Sequence, residues 1–173
     1  MPLQIKEEKD YKYIDEGSGE VLLLLHGLFG ALSNWEGLVN HFKSSYRVLI
    51  PLLPIYEMPL KQAGLDGLVK ILEGFIQHKS LEHMTVIGNS LGGHVGLIYT
   101  LKNPGKVEKL VLTGSSGLFE NSMGGSFPKR GSYEYIKERV EYTFYDPKTT
   151  TKELVDEVFE TTKSIPKCLR IVA

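Results

Sequence analysis

One short glycine-rich segment constrains the fold more than any other part of this 173-residue sequence. Gly88-Asn89-Ser90-Leu91-Gly92 lies between an apolar run, Thr85 to Ile87, and a stretch of helical length, Leu91 to Leu101. The pattern predicts a serine on a very tight turn from a strand into a helix. Such a turn strains the serine backbone and leaves no room for side chains two residues before and after it, so glycine is expected at both positions.

Ser90 is therefore a candidate nucleophile, and the following helix would aim its N-terminus at a negative charge forming beside it. We expect the Leu91 N–H to donate a hydrogen bond to the oxyanion of a tetrahedral intermediate. Two alternatives stay open from the motif alone. One is a glycine-rich turn with an incidental serine. The other is a small phosphate loop, although the Lys-Ser/Thr ending of a P-loop is missing.

A second glycine segment, His26-Gly27-Leu28-Phe29-Gly30, follows the apolar run Val21 to Leu25. A loop at this position can supply the second oxyanion donor, for which we choose the Leu28 N–H first and the Phe29 N–H second. Its two glycines, Gly27 and Gly30, would let the backbone approach a substrate closely. An ordinary turn between strand and helix is the alternative, and His26 inside it is expected to be structural rather than a general base.

The rest of the sequence alternates apolar runs with stretches of helical spacing, which is typical of an α/β fold with a mostly parallel sheet and helices on both faces. The expected element order is β-β-β-α-β-α-β-α-β. Five of these six strands are assigned ranges: Lys12–Asp15, Val21–Leu25, Tyr46–Leu52, Thr85–Ile87 and Val107–Thr113. We expect residues 1–113 to form this core. Residues 114–173 should form a cap-like segment, with a long mobile loop from Gly114 to Gly131 and then two helices.

Local signals place the ends of some helices. Ser33 or Asn34 is expected to cap the first helix. The last helix is expected to open with a capping box of Thr150 and Glu153 and to bury Leu154, Val155, Val158 and Phe159.

Composition excludes several other classes of protein. Lys and Arg number 20 against 21 Asp and Glu, so no positive field attracts nucleic acid. A single cysteine, Cys168, cannot close an intrachain disulfide, which favours a reducing, cytoplasmic location. The longest apolar run, Val21 to Leu25, is too short to span a bilayer, so no membrane association is expected. No metal-ligand cluster stands out, and we expect neither a metal nor an organic cofactor.

In this chain HGLFG is followed about sixty residues later by GNSLGG. This pair of glycine segments resembles the serine-nucleophile branch of the α/β-hydrolase superfamily. The resemblance covers about Lys12 to Thr113. Serine rather than aspartate at position 90 sets the chain apart from haloalkane dehalogenases and epoxide hydrolases. Val140 to Val155 is similar to the start of the helical cap in hydrolases of ring-cleavage products, which cleave C–C bonds in vinylogous diketones. Relatives usually carry Asp-x-Pro-Gly-x-Gly after the strand at 46–52, where this chain reads Pro51-Leu-Leu-Pro-Ile-Tyr-Glu57.

A serine nucleophile also needs a base and an orienting acid, which in this family follow it in the order acid, then histidine. His94, the only histidine after Ser90, lies one helical turn along the elbow helix and is expected to pack or face solvent there. The other residues weighed are expected to be solvated or to form turns: His41, His78, His83, Asp146 and Asp156. The 173 residues therefore offer no base.

The resembled family has about eight strands, with its acid and histidine on loops after the last ones. We therefore expect this chain to be the N-terminal portion of a longer enzyme and to show negligible turnover by itself. Val107–Thr113 would then be an exposed edge strand that favours self-association, and Leu169, Ile171 and Val172 would be partly bare.

The function expected of the parent protein is hydrolysis of a small carbonyl substrate: an ester, a lactone or the C–C bond of a diketone. Two alternatives remain. The same site could run a cofactor-free peroxidase-like or lyase-like reaction, or the chain could be a non-catalytic binding module on a hydrolase scaffold.

Overall fold

The computed structural model describes residues 3–28, 32–118 and 131–167. Their strands form one six-stranded sheet in the order β1-β2-β4-β3-β5-β6. The strands are β1 (Lys6–Glu8), β2 (Tyr11–Glu16), β3 (Val21–Leu25), β4 (Arg47–Pro51), β5 (Met84–Asn89) and β6 (Val107–Thr113). The pairs β1–β2 and β2–β4 are antiparallel, and the other three are parallel, which confirms the predicted mostly parallel sheet. No apolar pattern located β1, because all three of its residues are exposed.

Helices cover both faces of this sheet, as predicted. These are α1 (Ser33–Phe42), α2 (Leu65–His78) and α3 (Leu91–Lys102), whereas α4 (Tyr133–Tyr142) and α5 (Lys152–Lys163) pair with each other. The alternation of side chains along β3 divides the core: Leu22 and Leu24 join the α1 side, whereas Leu23 and Leu25 join the α2 and α3 side. Because β3 is buried on both faces, it is a continuous apolar run in the sequence.

Two predicted helix starts are wrong by a residue or two. The N-cap of α5 is Thr151, whose Oγ1 accepts a hydrogen bond from the Leu154 N–H at 3.2 Å. Thr150 instead closes a 3₁₀ turn over Pro147–Thr149, which shifts the start of the helix beyond it. At the other end of the chain, α1 begins at Ser33 with Leu32 at its N-cap. Sequence spacing finds a capping motif, but the preceding turn decides which residue of the motif caps.

The helices α4 and α5 pack on each other through a cluster of their own, formed by Ile136, Val140, Val155 and Val158. Asp156 contributes to this pairing, because its Oδ1 accepts a hydrogen bond from the Tyr133 hydroxyl at 2.7 Å. Asp156 lies on the exposed side of its helix as predicted, with its side chain 42% exposed, and the hydrogen bond to Tyr133 is an additional contact. Asp146 does serve in a turn, where its side chain accepts from the Lys148 N–H.

In the described part of the sheet, β6 pairs only with β5 and is an edge strand, with Val111 44% exposed. Self-association through this edge stays a prediction that light scattering would test. Within the described ranges, no helix is long and apolar enough to cross a bilayer. Phe29, Gly30, most of the loop predicted at 114–131, and the C-terminal segment with Cys168, Leu169, Ile171 and Val172 lie outside the described residues.

Candidate active site

The turn between β5 and α3 consists of one residue, Ser90, with φ 52° and ψ −121°. A positive φ is rare for a residue with a side chain, so this is the strained conformation expected from the sequence. Backbone hydrogen bonds hold the turn on both sides. The Ser90 N–H donates to the Thr113 carbonyl at 3.1 Å, and the Ser90 carbonyl accepts from the Gly93 N–H at 3.0 Å.

The glycines on either side of Ser90 are required by space. A Cβ at Gly88 would lie 2.5 Å from the Gly93 Cα and 2.7 Å from the Gly92 carbonyl oxygen. A Cβ at Gly92 would collide with the backbone carbonyls of Leu25 and His26 at the end of β3. Both clashes are with backbone atoms, which cannot turn away as a side chain can. We call Gly88–Gly92 the elbow.

The end of β3 comes close to the elbow. A Cβ at Gly27 would lie 3.1 Å from the Ser90 Cβ and 3.4 Å from the Asn89 carbonyl oxygen. Leu28 follows directly, and both residues line the same cavity as Ser90. The structure therefore brings Gly27, Leu28 and Ser90 into one place, and Leu91 follows Ser90 directly at the start of α3. We call His26–Leu28 the HGL segment.

The side chain of His26, the first residue of this segment, is buried and does not line the cavity. Its Nε2 accepts a hydrogen bond from the Leu53 N–H at 2.9 Å, and its Nδ1 lies 2.8 Å from the Gly27 carbonyl oxygen. Since Nε2 is an acceptor, the neutral ring carries its proton on Nδ1 and donates it to Gly27. Burial lowers the pKa of His26, which keeps the ring in this neutral form. The expected structural role of His26 agrees with these contacts.

A contact that the sequence analysis missed holds the next peptide. The Tyr56 hydroxyl donates a hydrogen bond to the Leu28 carbonyl at 2.6 Å. Tyr56 belongs to the segment after β4 in which the chain departs from the motif of its relatives. That departure was the only signal in the sequence, and it gave no partner. We call Leu53–Tyr56 the LPIY segment.

Ser90 opens into a cavity of about 500 Å³ that lies between the sheet and the pair α4 and α5. The elbow and the HGL segment form its floor, and the two helices form its roof. Its described lining is Gly27, Leu28, Asn89, Ser90, Gly114, Ile136, Arg139, Val140, Thr143, Phe144, Leu154 and Val158. Among these, Arg139 is the single charged residue, and there is neither a histidine nor a carboxylate. Elsewhere in the described ranges, no group of three metal-ligating side chains comes together.

The histidines outside the HGL segment lie away from this lining. The His94 Nδ1 lies 3.4 Å from the Ser116 Oγ, so this ring packs against the loop after β6. His78 was predicted to be solvated, which is wrong, because its side chain is only 19% exposed and stacks on Tyr11. His83 is exposed as predicted, and His41 is exposed with its ring against Phe42.

Asn89, directly before Ser90, was not singled out from the sequence. Its Nδ2 donates to the Thr113 carbonyl at 3.1 Å, which ties the end of β5 to the end of β6 beneath the cavity.

Comparison with known proteins agrees with this architecture. Residues 20–141 match the family described as alpha/beta hydrolase fold. A 2-hydroxy-6-oxononadienedioate/2-hydroxy-6-oxononatrienedioate hydrolase from Cupriavidus pinatubonensis is 29% identical over an alignment of 163 positions, which covers 82% of this chain and 55% of the relative. A 2-hydroxy-6-oxo-6-phenylhexa-2,4-dienoate hydrolase from Comamonas testosteroni is 24% identical, over 91% of this chain and 62% of the relative. The chain thus spans little more than half the length of these two relatives.

A solved structure gives the same result. An α/β hydrolase enzyme from a sediment metagenome of the Mar Chica lagoon superposes with a TM-score of 0.75 at 34% identity, covering 98% of this chain and 63% of the other. The chain therefore belongs to the α/β-hydrolase family.

Proposed function

We propose that this chain carries the nucleophile of a hydrolase that acts on small carbonyl substrates. The observation that supports the proposal best is Ser90, at a strained φ on the floor of a cavity roofed by α4 and α5. In this proposal the Ser90 Oγ attacks the substrate carbonyl. The N–H groups of Leu91, at the start of α3, and of Leu28 donate to the oxygen that becomes negatively charged.

The proton of Ser90 needs an acceptor, and the described lining of the cavity contains no histidine and no carboxylate. We therefore predict negligible turnover by the 173-residue chain, because oxyanion donors without a base retain only residual catalysis. Steady hydrolysis of p-nitrophenyl butyrate by this chain, abolished by Ser90→Ala, would contradict that prediction.

The nucleophile is tested in the protein expressed from its full reading frame. Ser90→Ala should reduce hydrolysis of p-nitrophenyl butyrate by a factor of about 10⁴ or more, as for other serine nucleophiles. Ser116→Ala is the matched control, since it removes a hydroxyl that contacts His94 rather than the cavity. Equal rates for Ser90→Ala and the wild type would refute the assignment. Ester and diketone substrates tested side by side would separate hydrolysis of each bond from lyase-like or peroxidase-like chemistry.

The cavity also suggests which small substrates fit. One face of α4 together with its C-cap supplies Ile136, Arg139, Val140 and Thr143 at helical spacing, so the exposed Arg139 is a charged residue in an otherwise mostly apolar roof. Arg139 lies over the Tyr135 ring at 5.1 Å, which orients the side chain. We propose that the substrate has an apolar body and an acidic group that meets Arg139. The two similar hydrolases from Cupriavidus and Comamonas have substrates that are themselves carboxylates by name.

This preference is measured by comparing monomethyl adipate with dimethyl adipate. The wild-type protein expressed from its full reading frame should favour the acidic ester about fivefold in kcat/KM. An effect of this size is appropriate for an exposed arginine. Arg139→Gln should remove the preference. Lys137→Gln, on the same helix and paired with Glu141 at 3.6 Å, makes the same charge change outside the lining and should keep it. An equal loss in both variants would show that only net charge matters.

A further inference from the structure

We infer that the LPIY segment positions the Leu28 N–H as an oxyanion donor, with Tyr56 and His26 as the positioning residues. This inference rests on the proposed function and extends it to residues that do not touch the reacting atoms. It also gives a role to the segment in which the chain departs from the usual motif of its relatives.

The peptide that joins Gly27 to Leu28 is held on its carbonyl side. The described chain contains no cis peptide bond, so the Gly27 carbonyl and the Leu28 N–H point in opposite directions from one planar unit. His26 donates from Nδ1 to that carbonyl at 2.8 Å. Fixing the carbonyl on the buried side therefore turns the N–H away from His26. The residues on either side of this peptide both line the cavity with Ser90.

The next peptide, after Leu28, is also held by its carbonyl. The Leu28 carbonyl accepts from the Tyr56 hydroxyl at 2.6 Å, so two successive carbonyls are each held by a side chain. A single tie would leave the chain free to rotate about the bonds at Leu28. With both carbonyls fixed, the direction of the Leu28 N–H is determined.

Both of these hydrogen bonds depend on the LPIY segment. Tyr56 belongs to it, and the ring of His26 is oriented by the Leu53 N–H, which donates to Nε2 at 2.9 Å. Neighbouring hydrogen bonds brace the segment itself, because the Ile55 N–H donates to the Leu53 carbonyl at 2.8 Å. The segment thus joins the end of β4 to the end of β3 at the cavity floor.

The test is Tyr56→Phe in the protein expressed from its full reading frame, with p-nitrophenyl butyrate as substrate. We expect kcat to fall about tenfold with KM within twofold, because a misplaced donor weakens binding of the transition state and not of the ester. Tyr46→Phe is the control, since that ring packs on Phe42 on the α1 side of the sheet and should change neither constant. A kcat for Tyr56→Phe equal to the wild type would overturn the inference.

A second readout does not need turnover. In ¹⁵N relaxation of the 173-residue chain, the Leu28 amide should have an order parameter near that of a rigid backbone, about 0.85, and lose it in Tyr56→Phe. The Leu91 amide, inside the elbow, should not change. If Leu28 is equally ordered in both proteins, Tyr56 does not position it. If the protein expressed from its full reading frame shows no Ser90-dependent hydrolysis, the proposed function fails, while the relaxation result still decides the positioning.

Discussion

The elbow and the HGL segment lie side by side at the cavity floor, yet they are held in different ways. The elbow is fixed by its own backbone and by collisions that only glycine avoids at Gly88 and Gly92. The HGL segment is fixed by side-chain hydrogen bonds, from its own His26 and from Tyr56, 28 positions away from Leu28. One half of the proposed oxyanion site is therefore determined by close backbone packing, and the other half depends on two side-chain hydrogen bonds, one of them from a distant loop.

The elbow and the HGL segment should therefore tolerate substitutions differently. A side chain added at Gly88 or Gly92 meets backbone atoms that cannot turn away, so the cost should appear in the stability of the whole fold. Changes to the ties of the HGL segment leave the sheet and helices intact. Their cost in the free energy of unfolding should be smaller than that of a change at Gly88 or Gly92, and they should also reduce local order and catalysis.

The largest effect is expected from Gly92→Ala. Its Cβ would clash with the Leu25 and His26 carbonyls, so we expect a loss of about 3 kcal/mol or more in the free energy of unfolding. Urea denaturation would measure it. Gly37→Ala adds the same methyl group to α1, where nothing lies within 4 Å, and should stabilise the protein by up to about 1 kcal/mol. Similar unfolding curves for Gly92→Ala and the wild type would show that the elbow can relax.

The same contrast explains what could be predicted from the sequence. Steric requirements leave a trace in residue types, so Gly88, Ser90 and Gly92 identified the strand, the turn and the helix together. The β3 run was equally clear, because burial on both faces leaves only apolar residues. Hydrogen bonds between distant segments leave no such trace. Tyr56 could be a tyrosine for many reasons, and its partner is a backbone carbonyl, which every residue has.

The His26 ties should give the next largest effect. His26→Leu keeps the bulk of the side chain but leaves the Leu53 N–H and the Gly27 carbonyl without their partner, at a cost of about 2 kcal/mol in the free energy of unfolding. His26→Gln offers an amide that can accept from the Leu53 N–H, so its loss should be smaller. Chemical denaturation of both variants measures the difference. Equal losses would mean that packing, not hydrogen bonding, holds this residue.

Gly27→Ala tests which of the two regions yields where they touch. The new Cβ would lie 3.1 Å from the Ser90 Cβ, a distance at which one neighbour has to shift by a few tenths of an ångström. Because the elbow is confined by backbone atoms, we expect the HGL segment to move, at a cost of about 1 kcal/mol in stability. Amide chemical shifts should change most at residues 26–28. Larger shifts at 88–92 would reverse the comparison.

The smallest effect is the pH dependence that His26 gives to folding. Burial lowers its pKa in the folded chain, whereas the unfolded chain should titrate near the ordinary value of about 6.5. Below that value the unfolded state binds more protons than the folded state, so stability falls as the pH drops through 6.5 toward the lower folded value. Protonation would also place an N–H on Nε2 facing the Leu53 N–H, which breaks one of the two ties of the HGL segment.

Between pH 8 and pH 6 the wild type should lose under about 1 kcal/mol more in the free energy of unfolding than His26→Gln, measured by urea denaturation. His41→Gln, at an exposed histidine on α1, is the control and should lose stability with falling pH as the wild type does. If the free energy of unfolding of His26→Gln instead changes with pH in parallel with the wild type, His26 does not couple folding to pH.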